Sequence, residues 1–414
     1  MKNFAVVGIG NYAENYIKIM QKLEKEKIAN LFCVVVRDRD KYPTAVNTLD
    51  DEGVVIYPSY DKMLSYGKQR VDIVALPIAS KDHFEYTKMA LENGYDVIVE
   101  RPVAITIQEV DQLLETQKQT ERYCIVGNEF LYSSSINLLC NEISSGRLGK
   151  IKMIRAICGW PCNEAYFKRN NWAGHLITDQ KWNLDGPATN HGASVLINAL
   201  HLVLTTCDKT AQIEAVQAEL YRAYQISSYD TVCMRIHLTN GSQVFFVASY
   251  AIDKPIDAAM QIECENALVN WNFQDEKTII RFHSGRKKIF RERAVEQKYE
   301  LVFREAITVS TTRSRNPRST IESARSHVLA LNLAFESAQE ILTIPPEFIG
   351  LSVSKNDQKI FVKDMESILT QSYQEGKLFS ELNVPWAKAT AACKSKDYQT
   401  FPQNEKIKKW MQSE

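Results

Sequence analysis

The chain has 414 residues, 45% of them hydrophobic and 24% charged, the balance of a globular protein with more chain than one ordinary core takes up. Lys+Arg and Asp+Glu are equal at 50 each, so no overall charge argues for nucleic acid or an anionic membrane as partner. No apolar run reaches the length needed to cross a bilayer.

The start, Met1-Lys2-Asn3, leads directly into a strand pattern with no room for a secretory leader. The nine cysteines are scattered. They read as free thiols of a reducing cytoplasm, and even the close pair Cys158 and Cys162 lacks the further ligands of a zinc site. No metal is expected, and the expected location is cytoplasmic.

Phe4-Ala-Val-Val7 runs into Gly8-Ile9-Gly10-Asn11-Tyr12-Ala13, a Gly-x-Gly-x-x-Ala turn between a strand and a helix. Gly8 permits the sharp turn, Gly10 lets a pyrophosphate approach the main chain, and Ala13 lets helix and strand pack closely. The amides that open the helix then hold phosphate. The first helix is expected from Asn15 to about Glu26, and Leu31 to Val36 is an apolar run suited to a strand buried on both faces. That run ends in Arg37-Asp38, where such a fold meets the adenosine ribose: a carboxylate suits NAD, an arginine the 2′-phosphate of NADP. With Arg37 first, the reading tips toward NADP.

Further strands are expected at Val71–Leu76, Asp96–Val99 and Tyr123–Val126, with a helix over Phe84–Asn93 closed by Gly94. The loops Pro77 to His83 and Glu100-Arg101-Pro102 follow two of these strands. Strand–helix alternation implies a doubly wound parallel sheet over residues 1–126, with ligands beyond the carboxyl ends of its strands. From about Gly127 the pattern changes. Ile151–Cys158, Ile213–Tyr224, Thr231–Leu238 and Val244–Tyr250 are rich in β-formers, and Asn240-Gly241 marks a hairpin. A second, α+β domain with a mostly antiparallel open sheet is expected over 127–390. A helix resumes from Ile321 to Ile341, and 391–414 forms a polar tail.

Asp185-Gly-Pro187-Ala-Thr-Asn190-His191-Gly-Ala-Ser194 opens a further helix. At about 100° per residue, Asn190, Ser194, Asn198 and His201 share one arc with His191 at its edge, and His201 lies about 16 Å from Asn190. Polar groups on so apolar a helix need partners or a cavity.

These residues resemble the glucose-fructose oxidoreductase, inositol dehydrogenase and rhizopine-catabolism (Gfo/Idh/MocA) superfamily. The Gly8-Ile9-Gly10 turn, the Leu76-Pro77-Ile-Ala-Ser80-Lys-Asp-His83 loop, Glu100-Arg101-Pro102, Asn128 through Gly149, Tyr166 through Gly174, Trp182 through Pro187 and Leu378 through Ala387 carry the resemblance. It implies NAD or NADP held by Gly8, Ile9, Gly10, Asn11, Tyr12, Arg37, Asp38, Pro77, Ser80, His83, Glu100 and Arg101. It implies hydride transfer at a hydroxyl of a sugar, cyclitol or glycoside, and a homodimer or homotetramer.

Two departures stand out. Arg101 replaces the family's lysine, and Ser194 aligns with its catalytic histidine, with Asn190 in place of an aspartate. Arginine is not deprotonated and presents a planar fork, and serine does not titrate near neutrality. Arg101 is then the group that polarises the reacting oxygen, with Asn190 beside it, and His191 is the candidate base; otherwise Tyr166 or Lys168 carries the proton. Arg169, Asn171, Trp172 and Ser194 are the substrate-binding candidates. The same substitutions leave two alternatives: a non-redox, ligand-sensing regulator, or a redox-neutral lyase or glycosidase that retains its NAD.

Overall fold

A computed structural model of the chain describes residues 1–10, 12–273, 277–291, 298–313, 317–354 and 357–413. The chain divides into two compact units. The first comprises residues 1–105, 109–132 and 296–324; the second comprises 106–108, 133–295 and 325–414.

In the first unit, helices alternate with six parallel strands: β1 Lys2–Val7, α1 Tyr12–Lys25, β2 Ala29–Val35, α2 Pro43–Asp51, β3 Val55–Tyr57, α3 Tyr60–Tyr66, β4 Ile73–Leu76, α4 His83–Glu92, β5 Asp96–Glu100, α5 Ile107–Thr120 and β6 Cys124–Gly127. The strand order is β3-β2-β1-β4-β5-β6, all parallel. The expected doubly wound sheet is therefore present, and its order reverses between β1 and β4, the switch point where such sheets bind ligands. The strands form because their residues are apolar on both faces: β4 is wholly buried, as are Phe4 to Val7 of β1. Helix α1 buries Ala13, Tyr16, Ile17, Met20 and Leu23, one face of a 3.6-residue repeat. Gly94, at φ +85°, ends α4.

Helix α6 spans Ser134–Ser144, and the chain returns to the first unit at α9, Lys298–Thr312. Phe303 of α9 is fully buried, its ring 5.7 Å from that of Phe4 and 4.9 Å, edge-on, from that of Tyr16. No local pattern in the sequence announces this return.

The second unit is built on a mixed, mostly antiparallel sheet. After β7 Ile151–Gly159 come α7 Glu164–Lys168, the short pair β8 Ile177–Thr178 and β9 Lys181–Trp182, and α8 Ala193–His201. Then follow β10 Ile213–Arg222, β11 Thr231–Leu238, β12 Gln243–Ser249, β13 Ile256–Cys264, β14 Ala267–Asn272, β15 Lys277–Phe282 and β16 Lys287–Arg291. With β17 Leu342–Thr343, the order is β16-β15-β14-β13-β7-β12-β11-β10-β17. Among the described strands of this sheet, only β7–β12 and β10–β17 pair in parallel. The Asn240-Gly241 turn joins β11 to β12 in register, His237 opposite Gln243 and Thr231 opposite Ser249.

Alternation sorts the strands between two layers. Ile157, Phe245 and Val247 join a core with Met365 and Leu369 of the helix Met365–Glu375 and with Phe379 and Trp386. Gly192, just before α8, approaches Cys158 and Phe246. Helix α10 spans Ile321–Ala338 and stops where Gln339 takes φ +58°. Beyond it, Phe401 packs on Trp182 and Phe335 with ring separations of 5.2 and 6.2 Å, and Ile407 is fully buried. No helix among the described residues is long and apolar enough to cross a membrane.

Deleting the Phe303 ring leaves a cavity between α9, β1 and α1. Phe303→Ala should therefore cost about 3–5 kcal/mol in denaturant unfolding of the first unit. A loss under about 1 kcal/mol would show that α9 is not part of that core.

Candidate active site

In the first unit, the carboxyl ends of β1, β2, β4 and β5 gather the residues singled out for a dinucleotide. Gly8 adopts φ +108°, a region an L side chain rarely enters, and its amide donates to Val35 O at 2.9 Å. A Cβ on Gly8 would sit 3.4 Å from that of Ala13, so helix and strand are in contact there. A Cβ on Gly10 would lie 2.5 Å from the Cζ and Oη atoms of Tyr42, so this phenol bounds the approach to the turn. Ile9 is buried and Tyr12 exposed; Asn11 lies outside the described residues. These features fit a dinucleotide: a glycine in a positive-φ turn, a second glycine without room for a side chain, and a helix beginning at Tyr12.

Past β2, Arg37 and Asp38 are exposed. Arg37 Nη2 donates to the Tyr86 hydroxyl, and Tyr86 stacks on Tyr60 with centroids 4.4 Å apart. Past β4, Pro77 and Ser80 are half-buried and lead into His83, which is buried. Its Nδ1 is 2.6 Å from Pro102 O and its Nε2 3.1 Å from Ile78 O. Burial pushes its pKa down, and a neutral ring donates to only one of these carbonyls. As placed, His83 ties this loop to the one after β5.

Arg101 sits in a dense cluster. Its Nη1 is 3.1 Å from Glu100 Oε2, 3.0 Å from Glu129 Oε2, 2.9 Å from Gly127 O and 2.8 Å from the Tyr299 hydroxyl. Its Nη2 is 3.4 Å from Glu129 Oε1, and its Nε is buried without a partner. Burial opposes the charge, but Glu129, Tyr299 and Glu100 more than restore it and keep the guanidinium protonated. Glu100 accepts from the Tyr16 hydroxyl. Burial raises its pKa to about 7; Arg101 and the Tyr16 hydrogen bond pull down, and Glu129 pushes up.

In the second unit, Asn190 and His191 lie in a run of turns before α8, so the helical arc holds only for Ser194, Asn198 and His201. The chain there is wound unevenly: Asn190 N donates to Gly186 O at 2.9 Å and Gly192 N to Pro187 O at 2.7 Å, one residue further back than an α-helix allows. His191 is exposed, its ring 5.3 Å from those of Tyr166 and Tyr250 and 5.8 Å from that of Trp160. Its amide donates to the Tyr250 hydroxyl at 3.2 Å.

Asn190 Nδ2 reaches Asp185 Oδ1 at 3.2 Å and the Tyr166 hydroxyl at 3.3 Å. Asp185 is buried, accepts from Gly174 N at 2.7 Å, and has its pKa raised by that burial. Arg169 and Asn171 are exposed and Trp172 half-buried. Ser194 is 2% exposed, and its hydroxyl oxygen is sealed from solvent with no partner. Burial likewise pushes His201 down to about 4.

Sequence reasoning missed Asp185, Trp160 and Tyr250 in the second unit and Glu129, Tyr16 and Tyr299 in the first. Asp185 was within reach, because an aspartate before Gly-Pro at the mouth of a polar turn is a candidate acceptor. Tyr299, 198 positions from Arg101, gave no such signal. Among the described residues, no group of three His, Cys, Asp or Glu side chains could hold a metal ion.

Residues 2–128 match the family model GFO_IDH_MocA, an oxidoreductase family with an NAD-binding Rossmann fold. The WlbA dehydrogenase of Bordetella pertussis, solved with NADH and UDP-GlcNAcA, superposes with a TM-score of 0.66 at 18% identity, over 82% of this chain and 97% of its own. The UDP-N-acetylglucosamine 3-dehydrogenase GnnA of Acidithiobacillus ferrooxidans gives 0.62 at 16%, over 80% and 95%. Among sequence relatives, a glycosyl hydrolase family 109 protein of Streptomyces filamentosus is 24% identical over 152 residues, 36% of this chain and 30% of its own length. A 1-carboxy-3-chloro-3,4-dihydroxycyclohexa-1,5-diene dehydrogenase of Comamonas testosteroni is 26% identical over 87 residues, 21% and 22%. The matches thus span under a third of each of these two curated relatives.

Glu100 holds its proton more tightly folded than unfolded. Its stabilising contribution is complete below the unfolded value near 4.5 and is lost as pH rises through about 7. Denaturant titrations at about pH 5 and about pH 8 should show the wild type losing more stability on going up than Glu100→Gln does. An identical loss in both would remove Glu100 as its source.

Proposed function

Because residues 2–128 match the model of the Gfo/Idh/MocA oxidoreductase family with its NAD-binding Rossmann fold, we propose that the chain is an NAD(P)-dependent dehydrogenase acting on a hydroxyl of a carbohydrate-like substrate. The observation that carries this reading is the convergence of Gly8–Gly10, Arg37, Pro77–Ser80 and Glu100 on the carboxyl ends of β1, β2, β4 and β5, at the switch point of a parallel sheet. A bound nicotinamide dinucleotide supplies the hydride donor or acceptor.

The chain's own residues supply binding, orientation and proton management. Main-chain amides at the start of α1 hold the pyrophosphate, and Arg37, with Asp38 beside it, reads the ribose and favours a 2′-phosphate. His191 takes up or releases the hydroxyl proton: its ring is exposed, and the Tyr250 hydroxyl fixes its amide. Asn190, braced between Asp185 and Tyr166, orients the substrate. Arg101 keeps the proposed role of polarising the reacting oxygen. Trp172 offers its face to the sugar, and Arg169 and Asn171 bind its hydroxyls. A homodimer or homotetramer is the proposed assembly.

A second reading, a redox-neutral glycosidase that retains its cofactor, is favoured by the glycosyl hydrolase family 109 relative. Sugars and aryl glycosides offered with NAD(P)⁺ separate the two. Growth of nicotinamide absorbance supports the dehydrogenase, and aryl release without it supports the glycosidase. Neither response across sugars, cyclitols and glycosides would defeat both.

On the dehydrogenase reading, His191→Ala should lower turnover by about two orders of magnitude with KM less affected; unchanged turnover removes His191 as the base. Arg37→Ala should weaken NADP binding about tenfold or more while leaving NAD nearly unchanged. Equal losses would show that Arg37 does not read the 2′-phosphate.

A further inference from the structure

Arg169 is an exposed arginine held against an aromatic ring. It follows α7 and lies face-on to the Tyr166 ring, its Cζ 3.5 Å from the ring centroid and 5.1 Å from that of Trp172. Its Nη1 donates to Tyr166 O at 2.7 Å. The ring contact and this bond hold the guanidinium, yet the side chain is exposed. Among the described residues, Arg169 has no ion-pair partner. The neighbouring Lys168 is paired with Glu164. Asp185 feels the charge of Arg169, but it is buried and already accepts from Gly174 N and Asn190 Nδ2.

Arg169 is exposed, and beyond its bonds to Tyr166 O and to the Tyr166 hydroxyl its guanidinium keeps further N–H donors, whose parallel arrangement along an edge matches a carboxylate or phosphate. The platform is continuous with the proposed substrate residues, because the Tyr166 hydroxyl accepts from Asn190 and the Tyr166 ring lies 5.3 Å from that of His191.

We propose that Arg169 makes the second unit selective for a sugar that bears an oxyanion, either the carboxylate of a sugar acid or a phosphate. The anion caps these further donors of Arg169, and the sugar ring lies toward Tyr166 and His191. This rests on the reading that the second unit holds the carbohydrate.

The test is calorimetry on the full chain with matched probes: glucose, glucuronate, and glucose phosphorylated at its primary hydroxyl. NADP⁺ is titrated in parallel. At least one charged probe should bind about tenfold or more tightly than glucose, and the gap should narrow as salt rises. Arg169→Gln should abolish the gap and Arg169→Lys should keep only part of it, since lysine lacks the fork. Whichever charged probe gains more identifies the oxyanion. Equal affinity for charged and neutral sugars, a gap that survives in Arg169→Gln, or no binding of either charged probe overturns the proposal. The NADP⁺ titration shows whether the dehydrogenase reading falls with it.

Discussion

One backbone angle underlies the functional end of the first unit. Gly8 leaves β1 at φ +108° and still donates to Val35 O, which keeps β2 in register while the chain turns into α1. Only a residue without Cβ takes that angle without strain, and only a small residue at position 13 lets the helix start so close to the strand. Moving the turn would displace the start of α1 from the carboxyl ends of β1 and β4. The parallel sheet would survive, but its helix amides would no longer point at the switch point.

The second constraint is the cost of burying charge. Arg101 brings a guanidinium among Glu100, Glu129 and Tyr299. One guanidinium with two carboxyl groups is balanced when one carboxyl keeps a proton, and burial pushes Glu100 in that direction. A lysine could not bridge both carboxyls with a planar fork. The arginine therefore comes with its own cage, built partly by Tyr299 from a helix that joins this unit far along the chain. Its freedom to serve a ligand is set by what that cage leaves over. In the second unit a buried acid, Asp185, is likewise satisfied by neighbouring donors, so that the exposed groups His191 and Arg169 stand on a settled foundation.

Much of this was legible in the residues. The Gly8–Ala13 turn, the apolar strands of the parallel sheet, the Asn240-Gly241 hairpin and helix α10 all follow from local periodicity and turn chemistry, and the motif resemblance points to the same family whose model matches residues 2–128. What escaped the reading is non-local. Helix α9 joins the first unit through Phe303 and Tyr299, and nothing in its own pattern says which sheet it will meet. The helical arc from Asn190 fails because the turns after Gly186-Pro187 are wound unevenly before α8 begins, so angular arithmetic does not carry across them. The sealing of Ser194 depends on tertiary packing, where a polar side chain's direction is decided by neighbours distant in sequence.

The central claim is that the turn after β1 binds a nicotinamide dinucleotide. Hydrogen–deuterium exchange of the full chain with and without saturating NAD⁺ or NADP⁺ tests it most directly. The account predicts slowed exchange concentrated in peptides covering residues 7–16 and 76–83, with the helix Met365–Glu375 unaffected. Exchange in those peptides unchanged by either dinucleotide would contradict it.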